Sequence, residues 1–207
     1  MEPLTEEDVD AFRRCIGVGG VVLFPSDTVY GLATDPDSKE GVRRLYALKG
    51  RLPDRPAAVM FFDLGQALAA VPELGPRTKD ALALLLPGPA TLLVENPARR
   101  FALACGPEPE RLGLRVPALK GSLERLAEAR WPVLQSSANR SGATEARRLG
   151  DVDEAIRRGV DLQLDAGALP GIASTVVDLA PYDRDGSYRI VREGALSAAA
   201  VEDRLST

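Results

Sequence analysis

Residues 21–32 read VVLFPSDTVYGL, an apolar run followed at Pro25 by a polar segment that contains Ser26, Asp27 and Thr28. The apolar run predicts a short buried strand. Loops that leave such strands are where open α/β sheets place their ligands, although the same polar residues also form simple Asx and ST turns. The segment therefore predicts an α/β fold with a candidate binding loop at the exit of its first strand.

Helical and strand patterns alternate through the rest of the chain. Thr5 and Ser38 are predicted N-caps of the first two helices, which end near Gly17 and at Lys49-Gly50. Further helices are predicted at residues 76–86, 122–129 and 151–158 and from Ser197, and strands at residues 57–62, 91–95, 112–116, 133–136, 162–165, 175–179 and 188–191. We therefore expect one α/β domain over residues 1–207, and the consecutive strands after residue 160 favour a mixed sheet.

Composition excludes several classes of protein. The 207 residues are 45% hydrophobic and 27% charged, with a net charge of -4, so the overall charge does not indicate a dedicated nucleic-acid or membrane-surface protein. The chain has no histidine, which excludes Ser-His-Asp catalysis, Cys-His catalysis and His-ligated zinc.

Cysteine usage and the N-terminal sequence predict a cytoplasmic location. Cys15 and Cys105 are far apart and form no C-x-x-C pair, which is typical of reduced thiols. Acidic residues at positions 6–8 do not fit a signal peptide. The longest uncharged stretch, residues 81–94, is too short to span a bilayer, so no membrane association is expected.

A local excess of positive charge lies between residues 39 and 55, where six cations accompany two anions. Lys49 and Arg51 are expected on the loop beyond the second helix, and Arg55 follows them. Arginine forks and lysine ammonium groups hold phosphate oxygens, so this segment is a candidate anion site. The alternative is a set of solvated cations on a helix surface, which fits the earlier members of the segment better than Lys49 and Arg51.

Two further groups of polar residues follow predicted strands. Residues 136–142 read SSANRSG, a run of hydroxyl and amide groups that can wrap an anion or form a capped turn. Arg115 lies in an apolar strand and Arg192 follows one, and a buried arginine needs an acidic partner from the protein or from a ligand. Neither a Walker A motif nor a Rossmann glycine motif is present, so any nucleotide must be bound in another way.

Seven motifs, taken in order, resemble the YrdC/Sua5 family, the L-threonylcarbamoyladenylate synthases of tRNA modification. They are Pro25-Ser26-Asp27-Thr28-Val29-Tyr30-Gly31-Leu32, Lys49-Gly50-Arg51, Pro87-Gly88-Pro89-Ala90-Thr91, Arg115-Val116-Pro117, Ser137-Ala138-Asn139-Arg140-Ser141-Gly142, Ser174-Thr175-Val176-Val177-Asp178 and Arg192-Glu193-Gly194. Each motif alone is weak, but their order covers nearly the whole chain. The length resembles the short, single-domain form of the family.

This resemblance implies a YrdC-like twisted mixed sheet with helices, curved around a basic cavity. It also implies a nucleotidyltransferase that joins ATP, L-threonine and bicarbonate into L-threonylcarbamoyladenylate and pyrophosphate. A partner tRNA-modifying transferase complex would then pass the threonylcarbamoyl group to adenosine 37 of tRNA, and weak tRNA binding by the chain itself is compatible with this role. Mg²⁺ is expected to arrive with ATP and to be held mainly by phosphates and water, because the sequence shows no carboxylate pair with metal-site spacing.

The resemblance also implies roles for individual residues. Lys49 and Arg51 would be the catalytic residues and would face the ATP phosphates. The other expected ATP contacts are Arg55, Ser137, Asn139 and Arg192, and the expected threonine and carbamate contacts are Thr28, Arg115 and Thr175. Two positions depart from the pattern, because many relatives carry Asn and His where this chain has Arg55 and Met60.

Two alternative functions remain open at this stage. One is an RNA-binding module that uses a basic concave surface, although a net acidic chain with 5% aromatic residues is not typical of RNA binders. The other is a carbamoyl-adenylate enzyme that acts on a different acceptor, although such enzymes usually occur as domains of longer chains.

Overall fold

The computed structural model describes residues 3–52 and 54–206, so Met1, Glu2, Pro53 and Thr207 of the predicted domain lie outside the described residues. Within that part of the chain, nine strands form one sheet. The strands are β1 (Val22–Pro25), β2 (Tyr30–Thr34), β3 (Ala58–Met60), β4 (Ala90–Glu95), β5 (Arg111–Arg115), β6 (Val133–Ser137), β7 (Leu162–Gln163), β8 (Thr175–Asp178) and β9 (Arg189–Arg192).

Eight α-helices and two 3₁₀ helices accompany the sheet in the same described residues. The α-helices are α1 (Glu6–Gly17), α2 (Lys39–Lys49), α3 (Leu64–Ala70), α4 (Pro76–Leu85), α5 (Ala102–Cys105), α6 (Glu154–Gly159), α7 (Tyr182–Asp185) and α8 (Ala198–Leu205), and the 3₁₀ helices are Gly121–Ala129 and Leu149–Asp151. None of the helices described here has both the length and the apolar composition needed to cross a bilayer.

The sheet is mixed, as the sequence predicts. Its strand order is β7-β1-β2-β6-β3-β5-β4-β8-β9. The pairs β1–β7, β3–β5 and β4–β8 are parallel, and the other neighbours are antiparallel. Strands distant in sequence therefore become neighbours, and the polar segments that follow them meet.

Helix α1 shows how the N-terminal sequence specifies local structure and packing. The Thr5 hydroxyl accepts a hydrogen bond from the Asp8 amide while the Asp8 carboxylate accepts one from the Thr5 amide, which completes a capping box. One face of the helix is buried, and its Phe12 ring packs edge to face on Phe24 and Phe62, with ring centroids 5.6 and 5.7 Å away. The cap sets the start of α1, and the aromatic contacts fix it to the sheet.

Several elements differ from the sequence predictions. Strand β2 is not predicted, because it is buried along its whole length and so does not show the alternation of a half-buried strand. The short helices α3, α5 and α7 are not predicted, because four to seven residues are too few to show a helical period. The helix predicted at residues 122–129 is a 3₁₀ helix and spans Gly121–Ala129. Helix α6 begins at Glu154 instead of residue 151, because the side chain of Asp153 caps it.

Thr175 connects the C-terminal segment to β8 through hydrogen bonds. Its hydroxyl is fully buried, donates to the Leu196 carbonyl, and accepts hydrogen bonds from the Gly194 amide at 2.9 Å and the Leu196 amide at 3.0 Å. These backbone groups have little access to water, so the hydroxyl satisfies two donors and one acceptor that would otherwise be buried without partners.

Replacement of Thr175 by valine tests how much these hydrogen bonds contribute to stability. Thr175→Val keeps the shape of the side chain but removes the hydroxyl, and we expect the free energy of unfolding to fall by about 2–3 kcal/mol because three backbone groups lose their partner. Urea unfolding measures the change. Thr175→Ser is the matched control, and a loss in Thr175→Val no larger than in Thr175→Ser would show that the hydroxyl does not fasten this segment.

Candidate active site

A cavity of about 360 Å³ lies on one face of the sheet. Strand alternation decides which residues reach it, because successive side chains point to opposite faces. In β5, Arg111, Gly113 and Arg115 line the cavity, while Leu112 and Leu114 are fully buried in the core. The sequence RLGLR of this strand therefore presents two arginines and a gap between them to the cavity.

Arginine is the main charged residue of the cavity wall. Arg51, Arg111, Arg115 and Arg192 line the cavity together with one carboxylate, Glu108. The Nε atoms of Arg51, Arg111 and Arg115 are buried and have no hydrogen-bond partner among the described residues. Buried donors without partners are rare in folded proteins, and their concentration around one cavity is typical of a site that holds an anion.

Arg115 is held by the loop between β1 and β2. Its Nη2 atom donates to the Asp27 carboxylate at 2.6 Å and to the Thr28 hydroxyl, and it lies 3.3 Å from the Ser26 hydroxyl. The other oxygen of Asp27 accepts the Ala118 amide at 3.0 Å. The side chains of Arg115 and Asp27 are only 4% and 6% exposed, so the protein supplies the acidic partner that the sequence required.

Arg51 connects the segment after α2 to β6 and to the start of β3. Its guanidinium donates to the Ser136 hydroxyl at 3.1 Å and to the Pro56 carbonyl, and it lies 5.7 Å from the centre of the Tyr46 ring. Its charge is therefore met by neutral groups, and burial lowers the pKa of Arg51. An arginine held in this way keeps its charge available to an anion in the cavity.

Lys49 lies at the end of α2 and not on the loop beyond it, so the predicted loop position is wrong. Gly50 ends the helix with a left-handed backbone, φ +58°, and the Lys49 side chain turns inward, where it is 3% exposed. Its Nζ donates to the Ser137 carbonyl, to the Asn139 carbonyl at 2.7 Å and to the Asn139 side chain at 3.3 Å. Lys49 thus holds the segment that follows β6.

This arrangement gives Ser137 and Asn139 different positions. Ser137 lines the cavity and donates its hydroxyl to the Asn139 side chain at 2.6 Å. Asn139 is not part of the cavity lining, and its amide donates to the Ala143 carbonyl. Hydrogen bonds between its own residues therefore hold the predicted polar loop in place. The loop presents the hydroxyl of Ser137 to the cavity.

Arg192, at the end of β9, forms part of the cavity wall. Its guanidinium donates to the Ser174 carbonyl at 2.7 Å, and the Ser174 hydroxyl lies 2.9 Å from that of Thr91 on β4. Ser174, Thr91 and Arg192 all line the cavity. The structure thus brings Arg51, Arg115, Ser137 and Arg192 together from four distant parts of the sequence.

The other predicted site residues do not reach the lining. Thr175 faces the opposite side of β8 from Val176, and its hydroxyl is occupied by backbone groups, so its predicted contact with a ligand is not supported by its position. Thr28 is buried and its hydroxyl accepts a hydrogen bond from Arg115, and Arg55 is exposed outside the cavity. Met60, one of the two departures from the family pattern, is fully buried.

The sequence analysis missed Arg111 and Gln135, which line the cavity together with Ser136 of the predicted polar run and Ser174. The alternation of RLGLR is a signal that could have identified Arg111, and Gln135 could have been found as a polar residue inside an otherwise apolar strand. Nothing in the local sequence indicates Ser174 beyond the motif that contains it.

The described residues contain no group of three or more His, Cys, Asp or Glu side chains placed to hold a metal ion. The cavity is a polar, arginine-lined concavity on one face of a mixed sheet, and the fold and site together define an α/β protein whose cavity suits an anionic ligand.

Comparison with known proteins identifies the family. A Sua5/YciO/YrdC family model, described as telomere recombination, matches residues 14–194. This chain belongs to the Sua5/YciO/YrdC family, as its motifs predict.

Curated relatives and solved structures agree with this assignment. A threonylcarbamoyl-AMP synthase of Chromohalobacter salexigens is 36% identical over 173 residues, which is 83% of this chain and 90% of that protein. A human threonylcarbamoyl-AMP synthase is 30% identical over 198 residues, which is 89% of this chain and 67% of that protein.

Among solved structures, P. abyssi Sua5 complexed with L-threonine superposes with a TM-score of 0.85 at 25% identity, and the match covers 98% of this chain and 58% of that chain. E. coli YciO has a TM-score of 0.78 at 21% identity, covers 94% of this chain and 92% of its own, and shows the same fold.

The burial of Lys49 gives a testable dependence of stability on pH. Burial, with the nearby charge of Arg51, lowers the pKa of Lys49 from 10.5 to about 8. Between these pH values the unfolded chain binds more protons than the folded chain, so stability rises with pH. Relative to Lys49→Met, the wild-type free energy of unfolding should rise by about 2–3 kcal/mol between about pH 7 and pH 10.

Urea unfolding at several pH values measures this difference. Lys79→Met is the matched control, because the Lys79 ammonium makes a solvent-exposed hydrogen bond to the Pro72 carbonyl at 3.0 Å. A wild-type stability that falls relative to Lys49→Met as the pH rises would show that the oxygen atoms around Nζ stabilise the charged form more than burial destabilises it.

Proposed function

We propose that this chain binds ATP, L-threonine and bicarbonate in the cavity and joins them into L-threonylcarbamoyladenylate, with release of pyrophosphate. The observation that carries the proposal is the set of cavity arginines with buried, unpartnered Nε atoms, because all three substrates present anionic oxygens. The relatives named threonylcarbamoyl-AMP synthase and the Sua5 structure complexed with L-threonine support it.

Arg115 is the proposed partner of the threonine carboxylate. Its Nη2 is already bonded to Asp27 and Thr28, so the guanidinium is held in one orientation, and its remaining N–H groups are not used by those contacts. A carboxylate in the cavity would meet a charged donor that needs no rearrangement. In this arrangement Thr28 acts by positioning Arg115.

Arg51, Ser137 and Arg192 are the proposed partners of the ATP phosphates. They carry charge and hydroxyl donors on the cavity wall, and the carbonyl groups that Lys49 binds keep the Ser137 segment in place. Lys49 and Asn139 contribute through this segment in the conformation described. Phosphate contacts by Lys49, Asn139 and Arg55, and a threonine contact by Thr175, stay predictions from the resemblance.

The reaction needs little help from a general base. The threonine amine and bicarbonate combine into a carbamate with loss of water, and a carbamate oxygen then attacks the α-phosphorus of ATP. The new P–O bond forms as the bond to the β-phosphate oxygen breaks, and pyrophosphate leaves with the electron pair. The carbamate is already an anionic nucleophile, so arginines and hydroxyl groups that orient the reactants and offset negative charge are sufficient.

The wider role follows from the same chemistry. The product would pass to a tRNA-modifying transferase complex that acts on adenosine 37, with weak tRNA binding by this chain as a further expectation. Mg²⁺ would accompany ATP and be held by phosphates and water, since the described residues provide no metal cluster. We place this activity in a single domain over residues 1–207 and in the cytoplasm.

Surface arginines outside the cavity count against an RNA-binding module. Arg43 pairs with Glu40 at 2.6 Å, Arg44 with Asp161 at 2.9 Å and Arg140 with Asp153 at 2.9 Å. A surface whose arginines are neutralised by carboxylates offers little attraction to a phosphate backbone.

Dependence on both co-substrates is the first test of the proposed reaction. Pyrophosphate release from ATP should require L-threonine and bicarbonate together, because neither alone supplies the attacking carbamate. A coupled pyrophosphate assay, with each component omitted in turn, measures this. ATP turnover that is indifferent to threonine and bicarbonate would contradict the proposal.

Two arginine variants should separate the two ends of the cavity. Arg115→Lys should raise the KM for threonine by about 10²-fold with a small change in the KM for ATP, because lysine cannot reproduce a guanidinium fork. Arg51→Ala should lower kcat/KM for ATP by about 10²-fold, because it removes a charge near the transferred phosphoryl group.

Steady-state kinetics with each substrate varied separately provide both values. Arg99→Ala is the control, because Arg99 is exposed and pairs with Glu110 away from the cavity lining. Circular dichroism and urea unfolding check that each variant is folded. Equal effects of Arg115→Lys on threonine and ATP would show that Arg115 does not serve the threonine carboxylate.

A further inference from the structure

Strand β9 forms an open edge of the sheet. It lies at the end of the strand order, next to β8, and three of its four residues are exposed. Among residues 3–52 and 54–206, the backbone of Arg189–Arg192 forms hydrogen bonds with no segment other than β8. The outer N–H and C=O groups of this strand are therefore free to pair with another extended chain.

A β-bulge places both arginines of β9 on the same face of the sheet. The pairing with β8 shifts by one residue, which leaves Val191 as the extra residue of the bulge. Arg189 and Arg192 then lie opposite Asp178 and Val176, which point to one face of β8. This is the cavity face, because Val176 lines the cavity. The two arginines are therefore about 7 Å apart along the strand and on the same side of it.

The charge at this edge is positive. Asp178 lies 3.5 Å from Arg189 and also pairs with Arg111, so two guanidinium groups share one carboxylate. The Arg189 side chain is 71% exposed, and Arg192 donates to a neutral group, the Ser174 carbonyl. Carboxylates on the cavity face of an added strand would therefore stabilise its pairing with β9, and cations there would destabilise it.

A second copy of this chain does not satisfy that requirement. An antiparallel pair of β9 strands that used all four residues would put Arg189 of each copy across from Arg192 of the other. Like charges directly opposite one another destabilise a strand pair. The edge thus selects a different chain, one that is acidic where β9 is basic.

We propose that the outer edge of β9 binds an extended segment of a partner protein that carries two acidic side chains two residues apart. The segment adds a tenth strand to the sheet, and its carboxylates meet Arg189 and Arg192. Val191 is 49% exposed and lines the cavity together with Arg192. The added strand therefore lies beside the mouth of the cavity.

Synthetic peptides test this proposal without any turnover. A capped, fluorescently labelled peptide of sequence Thr-Val-Glu-Val-Glu-Val-Thr should bind the wild-type chain. The same peptide with lysine in place of glutamate, or with N-methyl groups along its backbone, should bind at least about tenfold more weakly. Fluorescence anisotropy measures the affinities. Amide hydrogen exchange should slow in β9 when the glutamate peptide binds, and not in β7 at the opposite edge of the sheet.

Charge reversal at Arg189 supplies the variants. Arg189→Glu should weaken binding of the glutamate peptide by about tenfold or more and strengthen binding of the lysine peptide. Arg189→Ala adds no charge beside Asp178 and should show a smaller loss. Arg158→Glu is the matched control, because Arg158 is also exposed but lies on α6, which leads to β7.

Equal affinity for the glutamate and lysine peptides, or unchanged hydrogen exchange in β9, would overturn the proposal. A dimer in sedimentation velocity that Arg189→Glu abolishes would assign the edge to a second copy instead. Binding of an oligouridylate in preference to the glutamate peptide would assign it to RNA. None of these measurements uses ATP, threonine or bicarbonate, so their outcome is independent of the test of the proposed reaction.

Discussion

The buried ion pair between Asp27 and Arg115 connects the parts of the molecule on which the site depends. It joins the loop between β1 and β2 to the end of β5, and the second Asp27 oxygen also binds the Ala118 amide. Removing two charges from water is costly, so such a pair contributes more to a defined geometry than to stability. Here the geometry is a fixed guanidinium at one end of the cavity.

The remainder of the cavity uses the same principle of oriented charge. Arg51 is held by a hydroxyl and a carbonyl, and Lys49 holds the segment that carries Ser137. These contacts limit the movement of the donors before any ligand arrives, which is the condition under which charge stabilises a transition state most effectively. The small residues at Ala58 and Gly113 provide the space in which a ligand can meet them.

Much of the local structure could be read from sequence because the signals are local. The Thr5 and Ser38 caps, the glycine after Lys49 and the short apolar runs predicted α1, α2 and most strands, since a cap or a run requires only neighbouring residues. The ordered motifs identified the family, and they brought Arg51, Arg115, Ser137 and Arg192 into the predicted site. All four line the cavity.

The sequence by itself thus determined the mixed α/β class, the family and the positions that carry charge. Tertiary structure decided which way those side chains face and what they touch. Thr175 turns from the cavity to backbone groups of the C-terminal segment, and Lys49 turns inward to carbonyl groups some 90 residues away in sequence. The physical reason is that strand register and burial depend on pairings between distant segments, and no local pattern specifies those pairings.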